Sequence, residues 1–557
     1  MKVLFFARHF TYLRNFESVL TALAERGDRV HVAVERDEAF GGREMLDLLM
    51  ARYPQITTGW GPDRADDWYA VATKVRLMLD YLRYLEPAYD ETPKLRTRAE
   101  ERVPRAMLAL LRVPPFAGAA GRRRLAALLT AMERAVPIDP AIEAYIREQA
   151  PDAVLITPLV GVVASPQLDY LYTAMALGIP TGLCVWSWDH LSSKALIRTV
   201  PDRVFVWNPT QRQEAIELHG VPAGQITVTG AQCFDRWFDR SPSRTREAFC
   251  HHVGLPNDGP FLLWVCSALF RGSPVEAEFV RRWIAELRQS GHPALRDVNI
   301  LVRPHPSRLK EWEQVNLAGV PGVALWGGNP VDVDRRNDYF DSLHYSTGVA
   351  GLNTSAFIEG AIAGRPVYTI LLPEFHENQE GTIHFHYLLN VAGGLLHQAR
   401  SFAQHAEQLA ALLAAPAEPS ERSRAFVEAF VRPQGLTASS TERFVDGLVT
   451  LASLRPAPFA HTAPAAARML VRRLARFSEG VGRTWMMSAR ERLEYENSQT
   501  VRVRKDADRR VRMDAKAQVR ADKAGRVEER RRDKRRRAKA QERGRLKKDV
   551  LRRLRIG

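Results

Sequence analysis

The chain has 557 residues but only four cysteines, Cys184, Cys233, Cys250 and Cys266, and no CxxC pair among them. A disulfide scaffold is thereby excluded, and reduced thiols are expected. Long apolar runs are also missing. The longest, Phe261–Phe270, lasts ten residues even with Ser267 counted, well short of the roughly 18 that suggest a membrane span. The opening MKVLFFARHF is cut by Arg8-His9 before it reaches signal-peptide length, so the cytoplasm is the expected compartment. No P-loop occurs and no GxGxxG follows the first apolar run, which removes the main support for kinase and NAD-dehydrogenase chemistry. Heptads are not sustained, so a coiled coil is not expected.

Excess charge is missing from most of the chain as well. The formal net charge is +16, and residues 501–557 hold 25 Lys+Arg against 9 Asp+Glu. Residues 1–500 carry 55 of each sign and are neutral overall. The basic character belongs to a tail, and the body is not a general polyanion binder. At 45% hydrophobic and 26% charged residues, the composition is that of a globular protein with a sizeable core.

The chain is rich in short apolar runs that alternate with helical periods. VLFFA (3–7) leads to Phe16, Val19, Leu20 and Leu23 at helical spacing, then Gly27, then VHVAV (30–34). Strand, helix, glycine stop and strand make a βαβ unit, which needs a parallel sheet. The pattern recurs at AVLIT (153–157), TGLCVW (181–186), VFVW (204–207) and ITVTG (226–230). Residues 1–240 therefore read as one Rossmann-like, doubly wound domain, interrupted by an Arg-rich helical insertion at about 60–140. The insertion is expected to be a packed helical cap or a docking element for an acceptor or membrane surface. After Ser241-Pro242-Ser243 the alternation restarts with FLLWVCS (261–267), NILVRP (299–304), GVALW (322–326), VAGLN (349–353) and PVYTIL (366–371). Residues 241–455 read as a second Rossmann-like domain, and such a pair is expected to bind its ligand in the cleft between them. Residues 456–500 read as an amphipathic helical connector striped by Met469, Leu470, Leu474 and Phe477. Residues 501–557 read as a basic tail, helical or disordered, about 85 Å long if helical.

Chemistry concentrates at the ends of the strands. Strand 349–353 runs into Asn353-Thr354-Ser355, any of which can cap the helix expected at 355–363. A helix start after a parallel strand presents free N–H groups and the positive end of the dipole, a geometry that holds phosphate. Glu359 lies one turn further, within reach of a ribose diol. A second strand ends in Arg303-Pro304-His305-Pro306. The prolines fix the backbone around His305 and aim it into the crevice at the strand ends, with the Arg303 cation beside it.

The 351–367 segment resembles the donor-nucleotide site of GT-B-type glycosyltransferases and their relatives, the UDP-N-acetylglucosamine 2-epimerases and CDP-glycerol glycerophosphotransferases. RPHP resembles the R/K-x-HP motif of the phosphotransferase and capsule-polysaccharide relatives. The resemblance implies a GT-B-like α/β fold, with two Rossmann-like domains facing a cleft. It implies that Thr354, Ser355 and His305 serve the donor phosphates and Glu359 the ribose, with no bound metal or other cofactor; Asn353 at the helix start and the Arg303 cation are donor-binding candidates from their own positions. The expected reaction is transfer of a sugar from a nucleotide-sugar donor to a surface-carbohydrate or lipid-linked acceptor. A CDP-polyol phosphotransferase, an epimerase and a non-catalytic scaffold are the alternatives.

Two residues of the first domain are candidates for the base that deprotonates the acceptor. His9 follows the first strand and titrates near neutrality. Asp189, in Trp186-Ser187-Trp188-Asp189-His190, sits beside two indoles that would raise its pKa. Gly230-Ala231-Gln232-Cys233-Phe234-Asp235 reads as an organisational marker closing the first domain. His376, Glu377 or Asn378 is expected to line the sugar end of the cleft, since the loop after strand 366–371 opens toward it. His384 and His386, sharing a strand face with Glu377 nearby, are a weak metal candidate, and Cys250-His251-His252 a weaker one. The tail, with Leu546, Val550, Leu551 and Leu554 on one face, is expected to meet an anionic membrane surface before nucleic acid, since it lacks aromatics for base stacking. Peripheral attachment to the inner face of the membrane would follow.

Overall fold

The computed structural model describes the chain except for residues 39–40, 160–164, 195, 416–418, 461–462, 480–484, 499–527, 529–530 and 549–557. Two compact units result, Met1–Met486 and Met487–Gly557.

The first unit is built on two parallel sheets. The first contains β1 (Lys2–His9), β2 (Arg29–Arg36), β3 (Ile56–Trp60), β4 (Ala153–Thr157), β5 (Thr181–Cys184), β6 (Arg203–Val206) and β7 (Ile226–Val228), in the order β3-β2-β1-β4-β5-β6-β7. The second contains β8 (Phe261–Val265), β9 (Asn299–Arg303), β10 (Val323–Leu325), β11 (Gly348–Gly351), β12 (Val367–Ile370) and β13 (Leu396–Ala399), in the order β10-β9-β8-β11-β12-β13. Both run outward in two directions from their first strand, the doubly wound order whose switch point binds ligands at the carboxyl edge.

The apolar runs explain why the sheets form. Successive β1 side chains point to opposite faces, so Val3, Phe5 and Ala7 join one core while Leu4 and Phe6 join another. Phe5 meets Phe16 edge-on at 5.1 Å, and Phe6 stacks on Tyr170 at 4.0 Å. In β8, Phe261, Leu263 and Val265 likewise face away from Leu262 and Trp264. Burial on both faces is what a continuous apolar strand needs.

The helices that matter here are α1 (Glu17–Glu25), α2 (Trp68–Arg83), α3 (Pro93–Glu100), α4 (Arg105–Leu110), α5 (Gly118–Glu133), α6 (Gln167–Ala176), α7 (Val333–Tyr345), α8 (Ala356–Ile362), α9 (Phe385–Asn390), α10 (Ser440–Ala452) and α11 (Ala465–Glu479). The insertion α2–α5 is tied to the first sheet's layer by buried ion pairs. Asp169 of α6 takes Arg76 at 2.7 Å and Arg64 at 3.0 Å, and Arg76 also reaches Glu133 at 3.2 Å.

Three expectations need correction. The boundary at 455 is too late for the second domain: α10 returns to the first sheet, where Phe444 packs 4.8 Å from Phe205 and Leu448 and Leu451 join the same core. Its apolar stripe fits either sheet, and periodicity alone does not say which. The connector helix α11 is not striped by Met469 and Phe477, which are 53% and 47% exposed. It packs on α2 and α5 through Ala467, Val471 and Ala475. Finally, His384 and His386 lie at the start of α9 and not on a strand.

Of the tail, residues 528 and 531–548 are described, and they are helical. Val550, Leu551 and Leu554 lie outside the described residues. Among the described residues no helix is long and apolar enough to cross a membrane.

Candidate active site between the two sheets

The carboxyl edges of the two sheets face each other. Contacts between residues beyond those edges define the cleft. Trp188, after β5, meets His384 edge-on at 4.7 Å. Tyr387 of α9 donates to Glu214 of the first domain. Arg14, after β1, donates to the Pro330 carbonyl at 3.1 Å, and Glu17 pairs with Arg336 at 3.2 Å. Lys94 of α3 reaches over to Glu377 at 3.0 Å.

On the second domain's side, three adjacent strands, β9, β8 and β11, bring their terminal turns together. The Cys266 N–H donates to the Arg303 carbonyl at 3.0 Å, and the Asn353 N–H donates to Ser267 Oγ at 3.1 Å. With one strand between them, the His305 and Asn353 turns stand about 10 Å apart, two interstrand spacings. Thr354 Oγ1 caps α8 by accepting from the Ala356 N–H at 3.3 Å, whereas Ser355 is exposed and its side chain does not cap. Gly364, at φ +75°, stops the strand-to-strand crossover helix.

Asn353 points inward. Its Nδ2 donates to the Asn378 carbonyl at 2.5 Å and lies 3.5 Å from His384 Nε2. The carbonyl partner fixes which amide atom is the donor, so His384 Nε2 accepts and its proton sits on Nδ1. Burial, opposed by Asp189, holds the His384 imidazole at about 4, neutral at physiological pH. His305 is anchored through Nδ1, which accepts from Ser307 N–H at 3.2 Å; among the described residues its Nε2 has no hydrogen-bond partner. Burial and Arg308 bring His305 to about 4 as well.

Arg303 and Glu359 form one chain through Tyr339. The Arg303 guanidinium is buried, donates to Ser342 Oγ at 2.7 Å and lies 5.1 Å over the Tyr339 ring. Tyr339 donates its hydroxyl to Glu359 Oε2. Burial pushes the Glu359 carboxyl up to about 7 against the pull of Tyr339, Arg14 and Arg240. Arg303 is thus placed as a support for Tyr339, and its donors are turned to α7. Gly327 permits this: a Cβ there would meet the guanidinium at 2.5 Å.

On the first domain's side, His9 ends β1 and packs 4.3 Å from Tyr12, which meets Trp186 edge-on at 4.6 Å. Burial, then Arg8 and Arg36, lowers His9 to about 4. Asp189 is a different group from the one its aromatic neighbours suggest. Burial would raise it, but Lys194 at 3.1 Å, His384, and the Ser187 and Ser193 hydroxyls outweigh that and hold it well below the carboxylate range. The expected raised pKa is overturned, because the indoles contribute less than the cation and hydroxyl donors around it.

Asn353 and Asp189 therefore converge on His384, a residue the sequence offered only as a metal ligand. Tyr339 and Ser267 are further cleft residues with no sequence signal beyond their position in a helix or after a strand, whereas Asn378, expected at the sugar end, instead accepts from Asn353 through its carbonyl. His376 is exposed and 3.8 Å from Glu380, and Glu377 is committed to Lys94. Among the described residues no three His, Cys, Asp or Glu side chains converge on a metal position.

His9 Nδ1, Asn353 Oδ1 and His384 Nδ1 are among the buried polar atoms without partners. Such atoms cost about 1–3 kcal/mol each and call for an explanation, an unseen ligand being one.

No protein-family model and no curated protein matches this sequence. Among solved structures the chain is similar to the UDP-GlcNAc 2-epimerase of Neisseria meningitidis bound to UDP-GlcNAc, at 12% identity and a TM-score of 0.46, over 81% of this chain and 100% of that one. It is also similar to a glycosyltransferase from Rickettsia africae, at 11% and 0.47 over 81% and 99%, and to WaaG, a glycosyltransferase involved in lipopolysaccharide biosynthesis, at 12% and 0.41 over 80% and 98%. The fold itself is read from this chain's own strand order. Two doubly wound parallel sheets, turned carboxyl edge to carboxyl edge across one cleft, give it the GT-B architecture.

Proposed function

We propose that the chain is a nucleotide-sugar-dependent glycosyltransferase acting on a carbohydrate or lipid-linked acceptor. The observation that carries this reading is the convergence of the turns after β9, β8 and β11, where the Cys266 N–H donates to the Arg303 carbonyl and the Asn353 N–H to Ser267 Oγ.

In this reading the donor diphosphate lies against the turns after β9 and β11. Thr354 and Ser355 offer their backbone N–H groups, which take no acceptor among the described residues, and His305 Nε2 and the His384 Nδ1–H complete the cradle. These are neutral donors aimed at an oxygen that gains charge as the sugar leaves, so they stabilise the transition state more than the ground state. Glu359 accepts from the ribose hydroxyls, and Tyr339, held by Arg303, keeps that carboxylate in place. His9 takes the proton of the acceptor hydroxyl. The acceptor oxygen bonds to the anomeric carbon as the bond to the diphosphate breaks, and the electron pair leaves with the nucleotide. The nearby diphosphate charge raises the proton affinity of His9 from its low resting value. Asp189 fixes Lys194 and His384. His376 and Glu377 lie at the mouth, where release of the Lys94 pair exposes Glu377 to the sugar.

A donor screen tests this. Ligand that binds only the folded chain at 100 times its Kd adds about 2.7 kcal/mol of stability. One or more of the UDP-, GDP- or CDP-linked sugars should raise the melting temperature more than a CMP-linked sugar does, and Glu359→Gln should abolish the rise. Stabilisation by CDP-polyols alone would favour polyol-phosphate transfer. No stabilisation by any nucleotide would leave a non-catalytic scaffold.

A further inference from the structure

The helical cap carries a surface that the cleft does not use. Residues 102–132 contain six arginines, and residues 455–478 five, and neither stretch contains one Asp or Glu. The fold brings these two stretches together. Helix α11 lies against α5, and Ala467, Val471 and Ala475 share one core with Leu125, Leu129 and Met132, against which Met107, Leu108 and Leu111 of the α4 region also pack.

With those residues turned inward, the opposite faces are left to solvent, and they are not only basic. Exposed beside Arg123 and Arg124 is Leu128, 38% exposed, and beside Arg473 and Arg476 are Met469 and Phe477, 53% and 47% exposed. Leu110 and Val113, 36% and 47% exposed, flank Arg112. A solvated surface helix is expected to carry charges of both signs and few large apolar groups. Here cations of one sign alternate with bare apolar side chains on adjacent helices.

We propose that this outer face of α4, α5 and α11 docks on an anionic lipid bilayer. Arginines pair with headgroup phosphates, while Val113, Leu128, Met469 and Phe477 enter the headgroup–acyl boundary. A nucleic acid would satisfy the arginines but leave the apolar side chains in water, so the mixed face favours lipid. The inference is independent of what the cleft binds.

The test uses the full chain with an environment-sensitive fluorophore on Leu128→Cys or Met469→Cys, and on Val275→Cys of the second domain, 43% exposed, as the control. On vesicles of phosphatidylcholine with phosphatidylglycerol, the Leu128 and Met469 probes should brighten severalfold and shift to the blue, and the Val275 probe should not. Pure phosphatidylcholine should give no change. The combined R123E/R124E/R473E chain, checked for an unchanged melting temperature, should lose the shift. Vesicle binding with the Leu128 and Met469 probes still in water would assign attachment to the tail and overturn the proposal. So would failure to bind the vesicles, or an equal response to RNA.

Discussion

The Tyr339–Glu359 pair turns the proposed donor site into something a titration can read. Burial sets the Glu359 carboxyl at about 7, and the Tyr339 hydroxyl is one of the groups pulling it down. If the ribose hydroxyls donate to the ionised carboxylate, donor affinity must rise with pH through about 7. Tyr339→Phe removes the donor and keeps the ring under Arg303. A hydrogen bond to a charged group is worth about 1.5–3 kcal/mol, and one pKa unit is 1.36 kcal/mol, so the midpoint should move up by about one unit or more. At pH 7 the ionised fraction then falls from about one half to about one tenth, and donor affinity falls about fivefold. At pH 9 the two proteins should bind nearly alike. Stability runs the opposite way: a folded-state pKa raised above the ordinary 4.5 means the native chain holds a proton the unfolded chain has lost, so stability falls as pH rises from about 4.5 through about 7. Glu359→Gln should flatten that part of the stability profile. Calorimetric titration of donor between pH 6 and 9 reads the binding effect. Affinity that is flat with pH, or unchanged by Tyr339→Phe at pH 7, refutes the role given to Glu359.

His9→Gln should cut transfer by about 10²–10⁴, the usual size of a general-base contribution, while calorimetry shows donor affinity unchanged. Asp189→Asn leaves Lys194 without its anion in a partly buried position and should lower stability by about 1–3 kcal/mol, read by urea unfolding, yet leave a pH–rate profile of the same shape if His9 is the base, as proposed. Phe444→Ala opens the junction between α10 and the first sheet and should cost about 3–5 kcal/mol, which chemical denaturation measures. If Phe444→Ala costs under 1 kcal/mol, α10 does not close the first domain.

Much of this architecture was legible because central parallel strands are apolar on both faces. β1, β4, β8 and β9 are buried along all or most of their length, and their runs stand out without any knowledge of what covers them. The strands that went unread, β3 and β13, lie at sheet edges. ITTGW buries only Ile56, and LHQA only Leu396 and Ala399, too little for a pattern of period two. The turns after β9 and β11 were readable because a strand end, a proline pair or a capping triad marks them locally. The state of Asp189 is not legible in the sequence because it depends on which side chains the fold turns toward it, Lys194, His384 and the Ser187 hydroxyl outweighing burial. The same holds for His384, which acquires its tautomer from Asn353, 31 residues away. Arg303 was placed rightly at a strand end but wrongly aimed, since the partner that captures it, Ser342, lies on a helix 39 residues further on.

The central claim is that the turns after β9 and β11, with His384 between the domains, cradle a diphosphate. Calorimetric binding of nucleoside diphosphates against their matched monophosphates, across the common bases, tests it directly. At least one diphosphate should bind ten times or more tighter than its monophosphate, a difference of about 1.4 kcal/mol, and His305→Ala with His384→Ala should erase that difference while the chain stays folded. Equal affinity for the two, or no binding of either, would contradict it.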